Sequence, residues 1–235
     1  MGSIVNAICI ILGGLLGVMF KHGIKQSIQD SIYKAIGICV IVIGINGVLS
    51  NMAIIQEGVL STSGELIMVV CIVLGTLIGE LLDIDGKLNG LSKKIEEKFH
   101  LAGFANSFVV ASIIFCVGAM AIIGSINDGL LHDPTVLFVK SILDGITSII
   151  LGATLGMGVI FSSIPVLIYQ GAITLLSGSI STILVGDFLR QICMVGYVLV
   201  LCIGINFLAP NKLKVANMLP AILVVIVYNV ILMLF

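Results

Sequence analysis

The chain has 235 residues, of which 59% are hydrophobic and only 10% charged, and its mean hydropathy is +1.28. Soluble domains carry roughly 25% charged residues, so this composition cannot build a water-facing surface and points to helices in a membrane. The formal net charge of -1 favours neither acidic nor basic partners, and with no basic face carrying interleaved aromatics, nucleic acid is excluded as a partner.

A membrane-crossing helix needs about 20 mainly apolar residues. Such stretches recur near 4–20, 35–50, 64–83, 105–126, 136–158, 164–181, 191–209 and 216–235. They predict an all-α polytopic transmembrane helix bundle of about eight spans, forming a single integral membrane domain over residues 1–235. The first stretch lacks the basic n-region and cleavage site of a leader, and is read as a retained helix. The connection Phe161-Ser162-Ser163-Ile164-Pro165 is so short that the fifth and sixth stretches read either as a tight hairpin or as a broken, re-entrant pair, which would leave seven spans.

Charge placement tests the count, because Lys and Arg gather in cytoplasmic loops. Lys21, Lys25, Lys34, Lys87, Lys93, Lys94, Lys98, Lys212 and Lys214 fall in or beside the first, third and seventh loops, whereas the loops around 51–64 and 128–133 hold no Lys or Arg. Eight spans with both termini outside satisfy this pattern, and only Lys140 and Arg190 fit it poorly. Segment 83–104 is expected to be an amphipathic cytoplasmic loop, since Leu88 to Leu101 alternates apolar and charged positions at helical spacing. It reads as a lipid-sensing gate or as a plain surface connector. The six cysteines all lie in apolar runs, with neither CxxC pairs nor nearby His, so they read as packing residues and no metal site is expected.

Three octamers match: IILGGLLG at 10–17, IVLGTLIG at 72–79 and IILGATLG at 149–156. Each sets two glycines four apart on one helix face: Gly13 with Gly17, Gly75 with Gly79, and Gly152 with Gly156. In lipid, where apolar helices gain nothing by leaving the solvent, small residues of this spacing let two backbones approach. The octamers therefore read as helix-packing joints of an internal two-helix repeat. Asn46, Asn127 and Asn206 follow similar Ile-Gly runs, and Asn206 lies in a span of opposite direction, so an inverted repeat stays open beside the parallel one.

An ionisable residue inside a span is costly and marks a candidate site. Asp144 is the clearest case, and Lys140, Ser141, Thr147, Ser148 and Thr154 fall near it at helical spacing. One reading makes Asp144 an ion or proton site lined by these hydroxyls and tuned by Lys140. The other makes Lys140 and Asp144 an ion pair that only holds helices together. Further pathway candidates are Glu80, at the head of an acidic group with Asp83 and Asp85, Asp128, which could instead cap the fourth span, and the amides Gln170, Asn46 and Asn206. Asn229 reads as a helix-to-helix bond. No HExxH, GxSxG, P-loop or dinucleotide fingerprint occurs, so neither catalysis nor a cofactor is expected.

The segments GAMAIIGSINDGL, KSILDG with Asp144 and PVLIYQG with Gln170, together with the opening GGLLG, resemble the bacterial membrane family called domain of unknown function 554, the YqgA-like proteins. The likeness runs over essentially the whole chain and implies a multi-helix bundle in the bacterial inner membrane, with no substrate attached. From the residues themselves the expected function is a small secondary transporter or channel-like permease for an ion or small polar solute. The alternative is a non-transporting scaffold or envelope-signalling component. The lipid bilayer is the expected surrounding, and the glycine faces suit a homo-oligomer as well as packing within one chain.

Overall fold

A computed structural model describes residues 1–21, 26–56, 58–87, 90, 103–117, 119–180, 186–209 and 213–234. Most of the surface segment expected at 83–104, including Lys93, Lys94 and Lys98, lies outside the described residues, as do His22, His100 and Lys212. The elements are α1 (Gly2–Lys21), α2 (Gln26–Met52), β1 (Ala53–Gln56), β2 (Val59–Thr62), α3 (Glu65–Leu82), α4 (Phe104–Cys116), α5 (Ala119–Leu130), α6 (Thr135–Leu155), α7 (Gly158–Phe161), α8 (Ser163–Leu175), α9 (Ser177–Ile180), α10 (Gly186–Leu208), α11 (Val215–Met218) and α12 (Pro220–Leu234).

Among the described residues seven helical stretches are long and apolar enough to cross a bilayer: Gly2–Phe20, Lys34–Met52, Glu65–Leu82, Thr135–Leu155, Gly158–Leu175, Gly186–Leu208 and Val215–Leu232. At about 1.5 Å per residue they match a hydrocarbon layer roughly 30 Å thick. Their outward faces are aliphatic, with Leu66, Leu81, Ile142, Ile168 and Leu223 all strongly exposed. Lipid satisfies such faces where water would not.

The chain divides into two compact units. One comprises Met1–Tyr33 and Asn89–Ile183, the other Lys34–Leu88 and Leu184–Phe235.

In the first unit α1 and α6 run parallel in close contact. Gly13 lies against the Gly145 carbonyl, and Gly17 against the Ile149 carbonyl, the Ala153 nitrogen and the Gly152 Cα. Two of the repeated octamers thus meet each other. At the opposite end of this pair Gly2 lies against Leu137. The α8 helix runs antiparallel to α1, with Ser3 Oγ 3.4 Å from Thr174 Oγ1. Helices α4 and α5 meet at 61°. The start of α4 sits where α6 ends, since Gly158 packs on the Phe104 carbonyl and Phe104 stacks edge-on against Phe161 at 5.2 Å between ring centroids. The end of α5 sits where α1 and α6 begin, since Gly129 packs on the Thr174 carbonyl and Ser177, and Asp128 reaches Gly2. The bent pair therefore runs the full depth of the unit. Counted as one span, it brings the seven found among the described residues to eight.

Of the two readings of the connection between the fifth and sixth spans, the tight hairpin is the one present, and it lies a few residues earlier than expected. α6 stops at Gly156, whose φ of 97° is open to glycine and strained for other residues, and the next span starts two residues later. Pro165 falls in the first turn of α8, where its missing N–H is not needed, so Phe161 to Pro165 lies inside the sixth span. The interrupted span is the fourth. Single cysteines at Gly103 and His132 are accordingly expected to react with an impermeant thiol reagent from opposite faces of the membrane. Labelling of both from one face would make α4 and α5 a re-entrant loop.

The second unit holds α2 from Lys34 onward, α3, α10 and the α11–α12 span. Gly37, Gly44 and Gly47 of α2 press on Phe207, Leu201 and Tyr197 of an antiparallel α10. Gly75 and Gly79 of α3 press on the backbone at Ala221 and Asn217. Cys71, Val195, Ala221 and Val225 form the buried core. The β1–β2 hairpin pairs Ala53 with Thr62 and Gln56 with Val59, with Gly58 at positive φ in the turn. Arg190 donates to the Asn51 carbonyl at 3.2 Å and pairs with Asp187 at 2.7 Å, placing a cation at the C-terminal end of α2.

Candidate functional site: a sealed polar cluster in the first unit

The α6 sequence sets Leu137, Lys140, Ser141, Asp144, Ser148, Leu151, Gly152 and Leu155 on its buried face. Successive members are mostly three or four residues apart, so one helix face carries both the glycine joint and the charged pair. Lys140 Nζ donates to both oxygens of Asp144, at 2.9 and 2.7 Å, with both side chains about nine-tenths buried. The two side chains form an ion pair, an arrangement common to both sequence readings.

The pair has company from two other helices. Asn6 on α1 donates through Nδ2 to Asp144 Oδ2 at 3.0 Å and to Gln170 Oε1 on α8 at 3.2 Å. Asn6 and Gln170 are fully buried, yet Asn6 Oδ1 and Gln170 Nε2 have no hydrogen-bond partner among the described residues. Cys116, the last residue of α4 before the bend, lies within electrostatic reach of both Lys140 and Asp144. The cluster is therefore built from α1, α6 and α8, beside the interruption of the fourth span.

The hydroxyls expected to line Asp144 are turned back on their own helix. Ser141 Oγ donates to the Leu137 carbonyl at 2.6 Å, Thr147 to Leu143 at 2.8 Å, Ser148 to Asp144 at 2.7 Å and Thr154 to Ile150 at 2.9 Å. In an apolar surrounding a short hydroxyl finds the carbonyl one turn back before any partner across a helix gap. Thr147 and Thr154 also leave the buried face.

Asp128 does not cap its own span. Its Oδ2 accepts from the Met1 nitrogen and the Gly2 N–H, each at 2.9 Å, satisfying donors that the first turn of α1 would otherwise leave open. Asp133 performs a related task for α6: the Thr135 hydroxyl and then its N–H hold the Asp133 carboxyl below the usual carboxylate range.

The remaining candidates belong to the second unit. Glu80 pairs with Lys214 at 2.9 Å in solvent, an arrangement that raises the Lys214 ammonium above its ordinary range. Asn206 donates to the Leu213 carbonyl at 2.6 Å and accepts from the Leu213 N–H at 2.9 Å, tying Leu213 to α10. Asn46 is exposed on α2. Asn229 donates to Gln191 Oε1 at 2.7 Å and to the Val225 carbonyl at 3.0 Å, joining α12 to α10. Among the described residues no group of three or more His, Cys, Asp or Glu is placed to hold a metal.

Asn6 is the member that the sequence reading passed over. Its signal was its isolation, as the single amide between Ile4 and Phe20. Recognising it needed the partner helices, because one Asn in an apolar run reads equally well as a contact to any neighbour.

A charged pair sealed among helices whose outer faces are aliphatic places this chain among polytopic helical membrane proteins. It belongs to the family described as "Protein of unknown function (DUF554)", which matches residues 1–230. The chain is similar to the "Uncharacterized membrane protein YdfK" of Bacillus subtilis (strain 168), at 30% identity over 223 residues, covering 95% of this chain and 93% of that one. It is also similar to the "Uncharacterized protein YqgA" of Escherichia coli (strain K12), at 28% identity over 229 residues, covering 94% and 93%. No solved structure matches it.

Proposed function

We propose that this protein is a small secondary transporter or permease of the bacterial cytoplasmic membrane, with its solute site at Lys140, Asp144, Asn6 and Gln170. The observation that carries the reading is the pair of buried amide atoms left without partners beside a buried ion pair. Sealed, unpaired polar atoms are rare among packed helices, and a donor and an acceptor both left open beside one buried ion pair suit a site that closes around a solute. The bent fourth span adds support. Interrupted helices at depth, next to charged groups, recur where transporters bind their solutes.

This reading assigns the protein no catalytic chemistry. Its orientation follows the Lys-rich loops, with residues 21–34, 83–103 and 209–214 on the cytoplasmic side and both ends of the chain on the other.

The rival reading, a scaffold, is favoured by the pair itself, since Lys140 and Asp144 neutralise each other one helical turn apart and can serve packing alone. Cysteine accessibility separates the two. In a background without the six native cysteines, Ser148→Cys and Ser3→Cys are expected to react slowly with an impermeant reagent, each from at least one side, as the site opens. Complete protection of both from both sides, in protein that still folds, would sink the transport reading.

A further inference from the structure

The hydrogen-bond pattern of the cluster specifies more than its presence. Asp144, paired as a carboxylate, can only accept, so Asn6 must turn its NH2 toward it. The same NH2 meets Gln170, which must therefore turn its oxygen inward. These two constraints fix both amides and leave one free acceptor, Asn6 Oδ1, and one free donor, Gln170 Nε2. Two of the three sealed, unpartnered side-chain atoms found among the described residues belong to this one cluster.

The second unit supplies an internal comparison. Its Asn229–Gln191 contact also joins two helices by an amide pair, but Asn229 spends its second N–H on its own helix and neither residue leaves a sealed atom unpaired. Joining helices with an Asn–Gln pair therefore does not require open valences. The first unit keeps them.

Charge bounds what can fill them. Lys140 already spans both oxygens of Asp144, so the cluster is neutral as a whole. An added cation would face the ammonium and have to share a carboxylate whose charge Lys140 already offsets, and an added anion would face Asp144. Either would put an uncompensated charge among apolar helices.

We infer that the solute this site admits is a small uncharged molecule that both donates and accepts hydrogen bonds, such as water, a simple amide or a polyol, and that Asn6 and Gln170 recognise it. The inference rests on the transport reading above. Recognition by a matched donor and acceptor discriminates against molecules that lack either group, because these leave buried polar atoms unpaired.

The test uses the purified full chain in proteoliposomes. Light scattering follows water flow and the entry of urea, formamide and glycerol, while uptake of radioactive sodium, rubidium and chloride is measured in parallel. At least one neutral probe is expected to cross about tenfold or more faster than in protein-free vesicles, with ion uptake at background. Gln170→Met and Asn6→Leu each remove a hydrogen bond worth about that factor and are expected to return the rate toward background. Gln191→Met, which alters the amide pair of the second unit and touches none of the cluster residues, is expected to leave the rate within about twofold. Asp144-dependent ion flux without neutral flux would overturn the inference and leave transport standing. Absence of flux for every probe would overturn both. Neutral flux that survives Gln170→Met and Asn6→Leu would remove these two as the recognition residues. Should the variants fail to fold, the selectivity of the unaltered chain between neutral probes and ions still decides the inference.

Discussion

Asp144→Ala is expected to leave little folded protein, and adding Lys140→Met to the same chain is expected to recover much of it. The single change strands an ammonium that is about nine-tenths buried and that donates to both Asp144 oxygens. Breaking a buried pair from one side costs about 3–5 kcal/mol, a large share of the roughly 5–15 kcal/mol that holds a typical domain together. Removing both charges deletes the desolvation cost along with the attraction, and exchanges of this kind are often neutral. Heating the detergent-solubilised variants and measuring the fraction that stays monodisperse gives the comparison. Equal losses in the single and double variants would mean that the pair is not coupled as its geometry requires.

The double variant also separates the two functions considered for the cluster. It keeps the helices and removes the charges, so under the transport reading it should fold and carry no flux. Retention of flux would reduce Lys140 and Asp144 to packing.

Gly17→Leu is expected to separate α1 from α6, destabilising the first unit by about 3 kcal/mol or more, at the upper end for overpacking. The magnitude follows from what surrounds Gly17. Its neighbours at that point are the Ile149 carbonyl, the Ala153 nitrogen and the Gly152 Cα, all main-chain atoms of a helix that cannot move aside singly. Gly171→Ala makes the contrast, because nothing lies within 4 Å of a methyl group there and the change favours helix by about 0.5–1 kcal/mol. Thermal stability measured on the two variants should move in opposite directions. A fall of similar size in both would mean that close backbone approach is not what holds α1 to α6.

These two expectations rest on different kinds of sequence signal. The glycine octamers were readable because small residues four apart say what a helix face can admit, even before the neighbour is known. What the pattern could not say was which joint meets which. Octamers 10–17 and 149–156 pack against each other, while 72–79 packs against Asn217 and Ala221, a stretch with no matching motif. A helix face can be recognised from its own residues, but its partner is a property of the bundle.

The connection between the fifth and sixth spans was placed a few residues late for a related reason. Proline drew attention to Phe161–Pro165, but its cost depends on its position in the helix, and the first turn of α8 tolerates it. The fourth span carries no proline, and its apolar run looked continuous from 105 to 126. Only the contacts at its two ends, Phe104 with Phe161 and Asp128 with Gly2, reveal a bent helix that still runs the full depth of its unit.

What the sequence by itself determined was the solvent and the class of fold. Composition and hydropathy sum over residues without reference to their partners, so a chain this apolar had to be a multi-span helical membrane protein, with Asp144 as its most expensive residue. What only the tertiary structure decided was the cluster: Asn6 and Gln170 beside Asp144, hydroxyls of α6 folded back on their own helix, and Asp128 serving α1. Hydrogen bonds across helices are directional and short, and they join positions 126 to 164 residues apart, separations over which no local pattern carries information.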